Sequence, residues 1–154
     1  MAPSSTNGPI FYNSLYRHGV DDKRRVQIPA KWRPEDGEIQ FTLIIWPRGS
    51  QKEVCLLALP PEQWAALVEK LKAMPLADPK AEALRRLVGT KSDQVALDKV
   101  GRICIPDSMA KAAAIDREAV LVGLVDRFQI WNPERYDAVS TFDEQLTTEA
   151  FQMI

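Results

Sequence analysis

Val20–Pro29 reads VDDKRRVQIP, and Leu97–Pro106 reads LDKVGRICIP. The two stretches match at Asp21/Asp98, Arg25/Arg102, Val26/Ile103, Ile28/Ile105 and Pro29/Pro106. Each is an apolar residue, an aspartate, a short charged turn, an arginine and an alternating β-branched run that stops at proline. β-Branched residues suit a pleated strand, and proline cannot donate to a ladder. A pattern that returns in register sets the architecture of both copies at once.

The likeness extends outward from the turns. PPEQWAAL at Pro60–Leu67 aligns with NPERYDAV at Asn132–Val139, sharing Pro61/Pro133, Glu62/Glu134, Trp64/Tyr136, Ala66/Ala138 and Leu67/Val139. The turns lie 77 residues apart (98 against 21) and the helix starts 72 apart (133 against 61), so the first copy is longer, most simply in PRGSQK at 47–52. Each copy reads strand, turn, strand, short helix, strand, strand, helix, an α+β organisation. IFYNSLYRHGV, the charged turn and RVQIP read together as a hairpin-like unit. Pro60–Met74 predicts a helix whose Trp64, Leu67, Val68, Leu71 and Met74 share a face. A second helix follows, with Asp78 as N-cap, Pro79 in its first turn and Gly89 as its stop. Asn132 caps the last helix, and an acidic stretch ends in a frayed tail. Residues 1–9 read as a disordered tail, 10–89 as the first half, and 90–154 as the second half with its C-terminal helix. Halves of about 70 residues are marginal alone, so one shared core is expected.

The chain has 154 residues, is 45% hydrophobic and carries a formal net charge of −1, which argues against a uniformly basic nucleic-acid-coating protein. Charge is segregated nonetheless. Residues 1–34 hold Arg17, Lys23, Arg24, Arg25, Lys31 and Arg33 against Asp21 and Asp22; residues 134–154 hold Arg135 against five acids. One face is thus suited to an anion and another is kept from it. Cys55 and Cys104 fall in apolar runs, read as small core residues, and lack metal-ligand spacing. MAPSSTNGP is polar and has no apolar core, so it is not expected to be a signal peptide, and no apolar run reaches the ~20 residues of a membrane span. A cytoplasmic soluble protein is the default expectation. No Ser-His-Asp set, phosphate-cradling glycine loop or metal cluster is visible, so no enzyme and no cofactor are expected. His18, the one histidine, reads as a structural hydrogen-bonder, and Trp64 and Tyr136 read as packing residues.

FYNSLYRHGVDDKRRVQIPAKWR, with LDKVGRICIP and VLVGLVDRFQIWNPERYDAV, resembles the MraZ family of bacterial transcriptional regulators, over roughly residues 11–140. That family belongs with the AbrB-type swapped-hairpin proteins, and its turn motif is Asp-x-Lys-Gly-Arg. The first copy has Arg24 where glycine is usual; the second keeps Gly101 but has Val100 for the lysine. Asn13 also stands where the family tends to have glycine. A residue other than glycine at positive φ costs about 1–2 kcal/mol, so the first turn is either strained or differently shaped. The resemblance implies two pseudo-symmetric halves of interleaved swapped β-hairpins in a small barrel with flanking helices. It further implies a homo-oligomeric ring, an octamer or larger, that binds double-stranded DNA at direct repeats upstream of its own division and cell-wall operon, nucleoid-associated and with no small-molecule ligand evident. By position, Arg25 and Arg102 contact DNA, with Lys23, Arg24 and Arg17 as further basic contacts. Asp21, Asp98 and Gly101 shape and orient the turns. Each Asp–Arg pair also reads as an ion pair stapling its turn, which is compatible with a DNA contact because an aspartate can orient an arginine. The alternative function is a protein-interaction module of the swapped-hairpin type, antitoxin-like or scaffold, without specific DNA binding.

Overall fold

The computed structural model describes residues 8–48 and 50–154, and in it the two quoted repeats meet. Arg25–Gln27 (β2) runs antiparallel to Arg102–Cys104 (β6), with Val26 opposite Ile103. The ladder is flanked by the same bond on each side. Ile28 N–H donates to the Gly101 carbonyl at 2.9 Å, and Ile105 N–H donates to the Arg24 carbonyl at 2.8 Å. Successive side chains alternate across a strand. Val26 and Ile103 therefore face inward and are fully buried, while Arg25, Gln27, Arg102 and Cys104 share the outer face. This corrects the reading of Cys104 as a core residue: its thiol is exposed and donates to the Lys23 carbonyl at 3.3 Å.

The local hairpin expected around the first turn is also corrected. Leu15–Gly19 (β1) pairs with Glu118–Gly123 (β7), and among the described residues it is tied toward β2 by no ladder, just by a Val20–Val26 bridge and the Asp21 N–H donating to the Arg25 carbonyl at 3.1 Å. β1 finds five paired positions along β7, far more ladder than the three-residue β2 could offer. Gln40–Arg48 (β3), Ser50–Leu59 (β4), Ser92–Ala96 (β5) and Phe128–Trp131 (β8) complete a six-stranded antiparallel sheet in the order β1-β7-β8-β4-β3-β5. The order has two ends, and among the described residues no ladder closes it into a barrel. Most of PRGSQK is strand rather than turn: β3 extends to Arg48 and β4 begins at Ser50. The longer first copy shows here, with β3 and β4 at nine and ten residues against six and four for β7 and β8.

Helices accompany the strands in the expected order. Ala30–Trp32 forms one helical turn after β2, and Asp107–Ala112 (α3) its counterpart after β6. Pro61–Lys72 (α1) and Pro79–Thr90 (α2) follow β4, and Pro133–Glu144 (α4) follows β8. Asp78 accepts from Lys80 N–H at 2.9 Å and Asn132 from Arg135 N–H at 3.0 Å, both true N-caps. Gly89 does not stop α2, which continues to Thr90 with Lys91 at its C-cap. The C-terminal stretch carries one more short helix, Thr147–Phe151 (α5), rather than only a frayed end. Among the described residues no helix is long and apolar enough to cross a membrane.

The two faces of the sheet bury different things. Phe41, Leu43, Leu56, Ala58, Leu121, Phe128 and Ile130 face Val26, Ile28, Trp32, Ile103, Ile105 and Met109 in the main core. Trp32 and Phe128 lie 4.9 Å apart at its centre, with the Trp32 indole donating to the Asn13 carbonyl at 3.0 Å. On the opposite face, Trp64, Leu67 and Leu71 of α1 cover Ile44, Leu57 and Leu59, while Tyr136 and Val139 of α4 cover Trp131, Val120 and Cys55. Trp64 and Tyr136 are packing residues. The short ladder β2–β6 thus sits on one side of the sheet, with its polar face turned outward.

Candidate nucleic-acid interface

Each turn is built around one aspartate. Asp21 Oδ1 accepts the backbone N–H of Lys23 at 3.0 Å and of Arg25 at 2.8 Å, and its Oδ2 accepts Arg25 Nε at 2.7 Å. Asp98 repeats this with Val100 at 3.0 Å, Arg102 N–H at 2.9 Å and Arg102 Nε at 2.9 Å. Such side-chain bonds to the backbone two residues on are what make aspartate a turn residue. Both carboxyls are held below the usual carboxylate range, first by the backbone N–H of Arg25 or Arg102; desolvation, the next influence, opposes this and is outweighed with the help of the remaining hydrogen bonds and the arginine charge. Two carboxylates therefore stay charged and orient two guanidinium groups.

The missing glycine of the first turn does not change its shape. Arg24 adopts φ 61° and Gly101 φ 85°, both left-handed. Their backbone N–H groups donate to Asp21 O at 3.0 Å and Asp98 O at 3.1 Å. The turn is therefore strained rather than reshaped. Arg24 Nε donates to the Ile105 carbonyl at 2.9 Å, an attachment to the other half that glycine could not make.

Pairing of β2 with β6 brings the turns side by side. Arg102 Nη1 stands 4.0 Å from Asp21 Oδ2, so the two Asp–Arg pairs form one cluster on the outer face of the ladder. Both arginine side chains are about one-third exposed (33% for Arg25, 31% for Arg102). Among the described residues the Arg25 side chain uses only Nε within the protein. Its two terminal amino groups are left in the fork geometry that suits a phosphate or a guanine edge. Lys23 is exposed at the tip of the first turn. Gln27, whose Nε2 donates to the Val100 carbonyl at 2.8 Å, ties the two turns together and was not anticipated from the repeat. The structure does not bring Arg17 into this cluster. It sits on β1, donating to Asp137 at 3.1 Å and lying 3.5 Å from Glu118.

With this geometry in view, similarity to known proteins is informative. A family model described as "MraZ protein, putative antitoxin-like" matches residues 90–153. A protein of Clostridium tetani named "Transcriptional regulator MraZ" is 38% identical over 122 residues, 79% of this chain and 82% of that protein. Proteins of the same name are 37% identical in Thermomicrobium roseum, over 80% of this chain and 82% of that protein, and 34% identical in Acidithiobacillus ferrooxidans, over 83% and 87%.

Proposed function

The chain belongs to the MraZ family, and on that premise we propose that it is a sequence-specific DNA-binding regulator of transcription. Its relatives are named transcriptional regulators, which supports a role in regulating transcription, and the family is named for no reaction. The finer reading rests on one observation: two Asp-oriented arginines, Arg25 and Arg102, stand together on the outer face of a ladder that joins the repeats. An arginine whose Nε is held by a carboxylate has lost part of its side-chain freedom before binding, so less is lost when its fork meets DNA. Lys23 and Arg24 add backbone contacts, and Arg17, engaged with acids, has the least support. Asp21, Asp98 and Gly101 set the turns.

We read residues 10–89 and 90–154 as interleaved swapped-hairpin halves, consistent with the exchange of ladders between them. A ring of such subunits, at least an octamer, engaging direct repeats upstream of its own division and cell-wall operon would gain effective concentration from its many copies. This would place the protein in the cytoplasm at the nucleoid. The antitoxin-like wording of the family description keeps a protein-interaction module as the rival reading. Fluorescence anisotropy on the duplex upstream of the gene, beside a scrambled duplex, separates the two. We expect tight binding to the native duplex, weak binding to the scramble, and a loss of about 1–3 kcal/mol on Arg102→Ala or Arg25→Ala. Weak, equal binding to both duplexes would sink the DNA reading.

A further inference from the structure

The repeat places a groove beside each turn. One is lined by Ala30, Arg33, Gly37, Leu97, Asp98 and Gly101 and has a volume of about 600 Å³. The other is lined by Asp107, Ala110, Ala114, Val20, Asp21 and Arg24 and has a volume of about 790 Å³. These residues correspond one to one at the offset of 77, down to the positive φ of Gly37 (73°) and Ala114 (54°). Arginine and its small counterpart are exchanged between them. In one groove the first turn contributes Arg24 and the helix after β6 contributes Ala110. In the other the second turn contributes Gly101 and the segment after β2 contributes Arg33.

The exchange is spatial as well as sequential. A β-carbon at Gly101 would overlap Arg33 Nη1 and stand 2.7 Å from Cζ and 2.9 Å from Cδ. Arg33 thus occupies the space into which an arginine at 101 would grow. Its Nε is buried without a hydrogen-bond partner, and among the described residues it forms no ion pair. A half-buried cation left unpaired is expensive unless an anion reaches it. Both grooves also carry carboxylates, Glu35, Asp36, Glu38 and Asp98 in one, Asp21, Asp22, Asp107 and Asp116 in the other, so mixed charge does not distinguish them.

We propose that Arg33 is a DNA-backbone contact beside Arg102, holding at the second turn the place that Arg24 holds beside Arg25 at the first. The proposal rests on the DNA-binding reading above. Each specific arginine then has a neighbouring guanidinium, although the second turn has none in its own sequence.

The test is anisotropy of the full chain on its upstream duplex and on the scramble across a salt series, with thermal midpoints alongside. Arg33→Ala should weaken binding to both duplexes and reduce the log–log salt slope by about one. Arg33→Lys should keep the slope. Arg33→Gln, which keeps most of the side-chain stem without the charge, should lose it even if the alanine variant folds poorly. Arg33→Ala combined with Gly101→Arg rebuilds the first turn's arrangement and should recover the slope, whereas Gly101→Arg alone should collide with Arg33 and lower the thermal midpoint. Wild-type affinity and slope in Arg33→Ala or Arg33→Gln would overturn the inference and leave the DNA reading standing. A double variant that fails to recover would overturn the equivalence with Arg24. Equal binding to both duplexes by the wild type would remove sequence specificity, with the slope on either duplex still deciding Arg33; no binding at all would overturn both.

Discussion

Arg24 shows how one position can carry opposed demands. Its left-handed backbone costs about 1–2 kcal/mol, and the bond from its Nε to the Ile105 carbonyl returns roughly 1 kcal/mol. We therefore expect Arg24→Gly to change stability by less than about 1 kcal/mol in denaturant unfolding while still weakening DNA binding. Gly101→Ala should not be neutral, because it meets both a φ of 85° and the Arg33 side chain. It should cost at least about 1–2 kcal/mol by the same measurement. The aspartates give a pH dependence of known sign. Their folded pKa values lie below the ordinary 3.8. The stability they contribute is therefore complete well above 3.8 and is lost as pH falls through the lower, folded values. A double Asp21→Asn, Asp98→Asn variant should lose part of the acid-side decline in thermal midpoint. An unchanged acid limb would show that the turn carboxylates are not coupled to folding.

At the scale of elements, what the chain disclosed locally and what it withheld divide cleanly. The turn residues, the caps at Asp78 and Asn132 and the helical faces of α1 and α4 follow from neighbours in sequence, and all were legible. Strand partners were not. Alternation in VDDKRRVQIP says that a strand exists and which residues point inward, but β2 and β6 are 77 residues apart and no local signal names a partner. The expected hairpin failed for that reason, and so did the burial of Cys104, whose side depends on where Ile103 and Ile105 point. Gly89 failed differently: it lies near the end of α2 but without positive φ, so it cannot be the left-handed cap. Of the candidate site, the Asp–Arg pairs were legible, whereas Arg33 was hidden because its turn lies in the other copy. The β2–β6 ladder supports both turns, so its inner residues should matter to both. Ile103→Ala should cost about 2–5 kcal/mol and weaken DNA binding, while Leu84→Ala, at a position 38% exposed, should stay within about 1 kcal/mol. A loss of stability in Ile103→Ala with DNA affinity kept at permissive temperature would show that the turns hold their shape without the ladder.

For the whole molecule, the ladders show how much each half depends on the other. β1 pairs with β7, β2 with β6, β5 with β3 and β8 with β4, so each of these four ladders joins a strand before position 90 to one after it. Among the described residues, only the β3–β4 and β7–β8 ladders lie within a half. Cutting the chain at 90 would leave the second half one hairpin, and a lone hairpin is at best marginal in water. The main core divides in the same way, since Val26, Ile28, Trp32 and Phe41 from one half pack with Ile103, Ile105, Phe128 and Ile130 from the other. The segment matched by the family model, 90–153, is on this account a repeat and not an autonomous domain. Expressed alone, residues 90–154 should show no cooperative thermal transition by circular dichroism. Mixing with residues 1–89 should restore one, because every severed ladder then regains its partner. A cooperative melt of 90–154 by itself would mean that a half can close its own core, and the two turns would no longer have to fold together to present Arg25 beside Arg102.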